Sequence, residues 1–304
     1  MTKLLAFSGK KQSGKTTSAN FLYGSVMKNT YIDGVNGPEP LVDYADIDQE
    51  GRLILPGVIN NDTQEVGPVV FPTESTHPGI VQYMSDFVWP NLQTYSFADI
   101  LKQMCINLLG LTHEQCYGSD EQKNTKTDIR WDNIPGFITE KLPELDEDEA
   151  EEIGSIAPYY YKTQGKLKYH PKGFMTGREV LQIVGTQIFR KLRDDVWVQA
   201  TIGRILRDAP ALAVVTDCRF PNEVKGIQEA GGKVIRLTRN PNPNDEHVSE
   251  TALDKDNFDW DDFDYVLDNA TDSIETQNQK LYDILTEWEF IDYEKTAGTI
   301  AVEA

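Results

Sequence analysis

The sequence predicts an α/β fold, a three-layer sandwich in which helices flank a central parallel sheet. Two patterns carry this prediction. An apolar run at residues 4–7 leads through a glycine-containing loop into a helix-compatible run at 16–28. Further along, an apolar run at 211–216, a helix with Pro221 in its first turn and a run at 233–238 form a βαβ pattern. Consecutive strands joined by a crossover helix pair in parallel, so this pattern predicts a parallel sheet.

Residues 9–16, here named the glycine loop, match the pattern G-x-x-x-x-G-K-[ST] at every fixed position. Gly9 and Gly14 permit a tight turn that points backbone N–H groups at phosphate oxygens, Lys15 adds a positive charge, and Thr16 offers a hydroxyl to Mg²⁺. The loop therefore predicts a P-loop NTPase sandwich that binds a nucleoside triphosphate. The residues expected to bind it are Gly9, Lys11, Gln12, Ser13, Gly14, Lys15, Thr16 and Thr17.

The elements after the first helix follow in order. Residues 31–90 are rich in Gly, Pro, Asn and Asp, with β-like runs at 41–45, 53–55 and 69–71 and a turn at 48–51 joining the first two. We interpret this region as a β-rich insertion. Residues 94–97 are expected to end a strand and 98–109 to form a helix. Residues 119–175 are polar and irregular, and their seven acids at 144–152 are typical of a solvated loop.

The region 176–239 has the most regular pattern. Thr176 and Glu179 have the spacing of a capping box, which predicts a helix extending to about residue 193. A second helix is expected over 196–207, then the βαβ pattern, a short strand at 265–267 and a final helix at 274–288. We predict one domain over residues 1–304, with insertions at 31–90 and 119–175.

Charge and composition narrow the classes of partner. The 304 residues include 29 basic and 49 acidic side chains, a net charge of −20, which disfavours binding of a nucleic-acid polymer and favours free nucleotides. No apolar run approaches the ~18 residues of a membrane span, and the first residues show no signal-peptide pattern. Three cysteines without C-x-x-C spacing suit a reducing compartment. We expect a cytoplasmic protein without a membrane partner, and leave a homodimer open.

Polar residues that follow predicted strands are candidates for the site, because ligands of parallel sheets bind at the carboxyl ends of the strands. Asp217 directly follows the run at 211–216, and Arg219 lies two residues on. Asp217 is interpreted either as an acidic site that holds Mg²⁺ through water or orients a substrate, or as a turn or N-cap residue. His247 lies in a polar loop, where a solvated histidine and a substrate contact both remain open.

A second set of candidates lies on the helix that the capping box opens. Arg178, Gln182, Gly185 and Phe189 have the spacing of a single helix face. We expect Arg178 to bind a phosphate or base edge; the alternative is a surface arginine. By its type alone, Trp197 is expected in the core.

Together these motifs resemble the bacteriophage deoxynucleoside monophosphate kinases, a family with the P-loop nucleoside monophosphate kinase fold. The resemblance is carried by residues 9–17, 95–102, 176–182, Gly185, Thr186, Trp197, 216–223 and 247–250. It implies transfer of the γ-phosphoryl group of ATP, with Mg²⁺, to a deoxynucleoside 5′-monophosphate, in the host cytoplasm for a phage-encoded chain. A P-loop kinase for another small acceptor and a nucleotide-binding regulatory ATPase remain as alternatives.

The resemblance also implies roles for individual residues. Lys15, Arg178, Asp217 and Arg219 would be catalytic, and Thr16 and Asp217 would serve the metal. The residues implied to bind the substrate, with Trp197 moving to a base contact, are Phe97, Lys102, Arg178, Gln182, Gly185, Thr186, Trp197, Asp217, Arg219, Glu223, His247 and Glu250.

Overall fold

A computed structural model describes residues 2–34, 37–60, 62–131, 160–163, 166–169, 173–241 and 248–291. The chain divides into two compact units, the first formed by residues 1–98 and 195–304 and the second by residues 99–194. Within the described residues, the strands are β1 (Lys3–Ser8), β2 (Tyr31–Gly34), β3 (Gly37–Pro40), β4 (Asp46–Ile47), β5 (Leu53–Asn60), β6 (Glu65–Val70), β7 (Leu92–Tyr95), β8 (Lys126–Arg130), β9 (Tyr160–Thr163), β10 (Lys166–Tyr169), β11 (Phe174–Thr176), β12 (Leu212–Cys218), β13 (Lys233–Leu237) and β14 (Tyr265–Leu267).

The helices of the same residues are α1 (Lys15–Asn29), α2 (Pro78–Tyr83), α3 (Phe97–Leu109), α4 (His113–Tyr117), α5 (Asp120–Lys123), α6 (Gly177–Gln182), α7 (Arg190–Leu192), α8 (Val196–Asp208), α9 (Pro221–Glu229), α10 (Val248–Thr251) and α11 (Ile274–Glu287). Two π-helical segments, Met84–Val88 and Ile183–Phe189, and a 3₁₀ turn, Trp260–Asp262, accompany them. None of these helices is both long enough and apolar enough to cross a membrane.

The first unit is built on a parallel sheet in the order β14-β13-β1-β12-β7. One face of this sheet, including Phe7, Val214 and Ile235, packs in a core with Leu22 of α1 and Leu281 of α11. The other face meets α9, which contacts β1 and β13. The central strands β1, β12 and β13 are largely buried and are correspondingly rich in apolar residues. This arrangement confirms the predicted α/β fold with a central parallel sheet between helices.

The insertion at 31–90 is β-rich, as expected, but its first strand lies elsewhere. β2 pairs with β3, and β4, β5 and β6 form an antiparallel sheet. The predicted strand at 41–45 is wrong: Leu41 and Val42 are partly buried against the core, and the strand begins at Asp46. The apolar residues of this run pack against the core from a segment without regular secondary structure. The turn at 48–51 does join two strands, β4 and β5, with Gly51 at φ +79°.

The second unit has its own small core, in which Cys105, Trp131, Met175 and Val180 are buried. β8 pairs with β11, and β9 with β10, so the described part of the region expected to be irregular contains strands. The acidic run at 144–152 lies outside the described residues. The capping box is confirmed, because the Thr176 side chain accepts from the Glu179 N–H and Glu179 reaches back to the Thr176 N–H.

The helix expected from 176 to 193 is interrupted by the π-helical segment, and this overturns the predicted common face. Gly185 is buried, whereas Gln182 is exposed. A π-helical turn holds more residues than an α-turn, so the i, i+4, i+7 spacing no longer returns to one side. Gly185 is needed for packing, since a Cβ there would lie 2.7 Å from Cδ2 of Leu101.

Candidate functional site

The glycine loop joins β1 to α1, and its backbone conformation explains its glycines. Gly9 has φ +156° and Gly14 has φ +105°. A Cβ on Gly9 would lie 2.4 Å from the Ser13 hydroxyl oxygen and 3.2 Å from the Leu237 carbonyl oxygen. The Ser13 N–H closes a turn onto the Lys10 carbonyl at 3.2 Å. The loop is therefore a tight turn that delivers the chain to the N-terminus of α1, where backbone N–H groups favour an anion.

Lys15 is buried at the first position of α1. Its ammonium donates to the carbonyl oxygens of Gly9 at 2.8 Å and Lys10 at 2.6 Å. Burial, followed by the nearby charges of Arg219 and Arg236, lowers the pKa of Lys15 to about 7, and Asp217 opposes that shift. Three cations lie close together here and one of them is buried, so a bound anion is stabilised electrostatically at this position.

The next two residues differ in exposure. Thr16 is exposed in the first turn of α1, so its hydroxyl is open to a ligand. Thr17 faces the β4–β5 turn closely, since a Cβ on Gly51 would lie 2.2 Å from Thr17 Oγ1. Asn20, one turn further along α1, donates to the Gly51 carbonyl at 2.9 Å. The insertion thus packs directly against the helix that follows the glycine loop.

Two residues that the sequence analysis did not single out brace the loop. The Asn269 side-chain amide donates to the Ser13 carbonyl at 2.8 Å and to Gln277 Oε1 at 2.6 Å. Gln277 in turn donates to the Ser18 hydroxyl at 3.0 Å. Both amides are buried. Both residues lie in polar stretches of the sequence, so no sequence pattern marks them.

Asp217 is the penultimate residue of β12, one position further inside the strand than predicted. Its Oδ1 accepts from the Phe97 N–H at 2.8 Å, and its Oδ2 accepts from the Ser96 hydroxyl at 2.5 Å and from the Ala98 N–H at 3.3 Å. Of the two interpretations that the sequence left open, this geometry is that of a helix cap, with the carboxylate serving the first N–H groups of α3.

The structure brings together Arg219, Glu223 and Glu250, which the resemblance assigned to one site. Glu223 is buried and its Oε2 accepts from the N–H groups of Arg219 at 2.7 Å and Phe220 at 3.1 Å. The Arg219 guanidinium forms an ion pair with Glu250 Oε1. Glu250 Oε2 accepts from the Lys11 N–H at 2.7 Å, so this carboxylate links the glycine loop to Arg219.

A further cationic group lies beneath the loop. Arg236 is 4% exposed, donates to the Ser8 hydroxyl at 3.0 Å and lies over the ring of Trp260 at 5.1 Å. Burial lowers the pKa of Arg236, and Asp254 opposes that shift. Asp254 also pairs with Lys10 at 2.7 Å. The sequence named Arg236 only among many cations, because the contact with Ser8 spans 228 residues.

The remaining candidates of the first unit are accounted for as follows. The side chains of Phe97 and Trp197 are buried, 3% and 5% exposed. Phe97 meets the site through its backbone N–H, and the burial of Trp197 agrees with the core position expected from its type. His247 lies outside the described residues.

The other predicted substrate residues belong to the second unit. Arg178 donates to Asp120 Oδ1 at 2.8 Å and to Asn124 Oδ1 at 3.2 Å. Lys102 lies 4.4 Å from the centroid of the Tyr117 ring. Gln182 and Thr186 are exposed, while Gly185 is buried.

Comparison with known proteins adds two curated relatives. Over 174 residues the chain is 28% identical to a putative deoxynucleotide monophosphate kinase of Acanthamoeba polyphaga mimivirus, covering 52% of this chain and 67% of that protein. Over 57 residues it is 40% identical to the deoxynucleoside-5′-monophosphate kinase of Escherichia phage T5, covering 18% of this chain and 23% of that protein. No protein-family model matches the chain. The chain is thus similar, over about half of its length, to a protein named as a viral nucleotide kinase.

Proposed function

We propose that this chain transfers the γ-phosphoryl group of ATP to a deoxynucleoside 5′-monophosphate, giving ADP and the deoxynucleoside diphosphate. The observation that carries the proposal is the glycine loop with buried Lys15 and the charges of Arg219 and Arg236 close to it. In a chain of net charge −20, this local cluster is a place where a polyphosphate is attracted. The names of the two curated relatives support the reaction class and the acceptor.

The chemistry assigned to the first unit is mainly positioning and charge. The phosphoryl group passes through a loose transition state whose charge is spread over its oxygens. The N-terminus of α1 and Lys15 would hold the donor phosphates, and Lys15 with Arg219 would stabilise the charge that develops during transfer. The oxygen that attacks belongs to the acceptor phosphate, the β–γ bridging bond of ATP breaks, and ADP leaves.

Thr16 and Asp217 differ in how well they suit a magnesium ion. The exposed hydroxyl of Thr16 suits a direct contact, because the cation prefers oxygen ligands. Oδ1 of Asp217 already accepts from the Phe97 N–H and Oδ2 from the Ser96 hydroxyl and the Ala98 N–H, so Asp217 suits a contact through water. A bound Mg²⁺ would supply positive charge that neutralises part of the charge of the donor phosphates.

The acceptor residues stay proposals taken from the resemblance. A guanidinium such as that of Arg178 can bind a phosphate through two parallel hydrogen bonds. In this structure the Arg178 guanidinium donates to Asp120 and Asn124. Lys102, Gln182 and Thr186 carry polar atoms suited to the rest of a nucleotide.

The test is a coupled assay of ADP production with Mg-ATP and each of the four deoxynucleoside monophosphates in turn. We expect ADP production that depends on at least one of them and that Lys15→Ala abolishes. Folded protein that no monophosphate stimulates would refute the proposal. Steady ATP hydrolysis without an acceptor would instead support the regulatory ATPase, and stimulation by an unrelated small acceptor would support the other P-loop kinase.

A further inference from the structure

Glu250 makes an unusual set of contacts for a residue that the sequence grouped with the substrate. Its carboxylate is buried, with one oxygen on the Lys11 N–H at 2.7 Å and the other on the Arg219 guanidinium. Its own carbonyl accepts from the Lys10 ammonium at 2.6 Å. Both carboxylate oxygens are therefore engaged by this chain, one with the glycine loop and one with Arg219.

The ion pair between Arg219 and Glu250 places a negative charge beside two neighbouring cations. Arg219 is close enough to Lys15 to oppose its protonation, so the two cations repel each other. The buried carboxylate of Glu250 forms an ion pair with Arg219, which offsets the guanidinium charge and fixes the guanidinium in one place. Without it, the side chain of Arg219, which is 31% exposed, would be free to swing into solvent.

The position of Glu250 does not depend on its own carboxylate alone. Asp254, in the same segment, pairs with Lys10 at 2.7 Å and with Arg236 at 3.6 Å. These contacts tie the segment that contains α10 to the glycine loop independently of Glu250. Replacing the carboxylate should therefore release Arg219 while the backbone around residue 250 stays in place.

We propose that Glu250 is a positioning residue, which holds Arg219 and the Lys11 N–H in the arrangement that stabilises phosphoryl transfer and does not itself contact the substrate. This inference rests on the proposed function. It differs from the role that the resemblance implies, in which Glu250 would bind the monophosphate.

Kinetic variants separate the two roles. Glu250→Gln keeps the size of the side chain but removes its charge. We expect it to lower kcat by about tenfold to a hundredfold, the loss common for partners that orient a functional group, with the KM for the monophosphate changed less than about threefold. Glu250→Asp, which restores the charge, should recover part of kcat. Glu229→Gln, an exposed glutamate paired with Lys225, is the matched control and should behave as the wild type.

A double-variant cycle tests whether Glu250 acts through Arg219. If it does, Glu250→Gln combined with Arg219→Gln should lower kcat no further than Arg219→Gln alone. Losses that multiply would overturn the inference, as would wild-type kcat in Glu250→Gln. A tenfold rise in the KM for the monophosphate at unchanged kcat would show direct substrate contact and would also overturn it.

A measurement without catalysis keeps this inference separate from the proposed function. In Glu250→Ala, amide hydrogen exchange of a peptide covering residues 9–16 should become at least about fivefold faster, because the Lys11 N–H loses its acceptor. Unchanged exchange would contradict the positioning role. If Glu250→Ala shows this faster exchange and the wild-type protein shows no monophosphate-dependent ADP production, the proposed function alone is refuted.

Discussion

Asp217 Oδ1 accepts a hydrogen bond from the backbone N–H of Phe97 at 2.8 Å, a contact between residues 120 positions apart. It ties the end of β12 to the turn in which β7 leads into α3. The residue that the sequence presented first as a candidate metal site is therefore also a structural cap. The same carboxylate also opposes the lowering of the Lys15 pKa. Asp217 therefore has two effects, one on the stability of α3 and one on the charge of Lys15.

The cap predicts a loss of stability in Asp217→Ala. The change removes the acceptor of three hydrogen bonds at the start of α3, so the free energy of unfolding should fall by about 1–2 kcal/mol. Urea denaturation followed by circular dichroism measures it. Asp86→Ala, at an exposed aspartate bonded to Gln82, is the control and should change stability by less than about 0.5 kcal/mol. Equal effects of both variants would show that the cap contributes nothing.

Lys15→Met should separate activity from stability. Removing the charge is expected to lower kcat by about a hundredfold or more, because the transferred group loses a preorganised cation. The free energy of unfolding at pH 7 should stay the same or rise, since a buried cation with a lowered pKa is costly to bury. Lys28→Met, at the exposed end of α1, should leave both unchanged. A strongly destabilised Lys15→Met would contradict this account.

The lowered pKa of Lys15 also predicts that nucleotide binding takes up a proton. With a pKa of about 7, the amine is mostly neutral at pH 8, and bound phosphate favours the charged form. Affinity for ADP should therefore weaken as the pH rises from 7 to 9. Calorimetry in two buffers of different ionisation enthalpy measures the uptake. Lys15→Arg, which stays protonated, should show little uptake; the same uptake in both proteins would exclude Lys15 as its source.

Arg178→Ala tests the acceptor role assigned by resemblance. We expect the KM for the monophosphate to rise at least about tenfold, or kcat to fall if Arg178 meets transition-state charge, with the KM for ATP little changed. The ion pair with Asp120 is largely exposed, so the free energy of unfolding should change by less than about 1 kcal/mol. Lys126→Ala, an exposed cation of the same unit, is the control. Unchanged kinetics in Arg178→Ala would remove it from the site.

Two glycines should respond to alanine with opposite signs. Gly51 has φ +79°, and a Cβ there would lie 2.2 Å from Thr17 Oγ1, so Gly51→Ala should lower the free energy of unfolding by about 1–3 kcal/mol. Gly203 lies inside α8, and among the described residues nothing beyond its own stretch of helix comes within 4 Å of its Cβ position, so Gly203→Ala should stabilise by up to about 1 kcal/mol. The melting temperatures of the two variants measure these changes. A Gly51→Ala variant as stable as the wild type would show that the β4–β5 turn is not closely packed against α1.

The elements that the sequence predicted well depend on neighbouring residues. The turn into α1 needs Gly9 and Gly14, and the start of α6 needs Thr176 and Glu179, within a few positions of each other. The predicted helix face of Arg178 and Gly185 failed because π-helical turns, which no residue pattern announced, interrupt the helix. The strand expected at 41–45 failed because Leu41 and Val42 are apolar for packing reasons.

The sequence by itself determined the α/β class, the glycine loop with Lys15, and the position of Asp217 and Arg219 just after a predicted strand. These follow from local backbone preferences and from the period of apolar residues. Only the tertiary structure decided that Asp217 caps α3, that Glu250 joins Lys11 to Arg219, and that Arg236 and Asn269 support the loop from within. The contacts of Asp217 with Phe97, Glu250 with Lys11, Arg236 with Ser8 and Asn269 with Ser13 join residues more than 100 positions apart. Their energy comes from burial and charge, which no local pattern encodes.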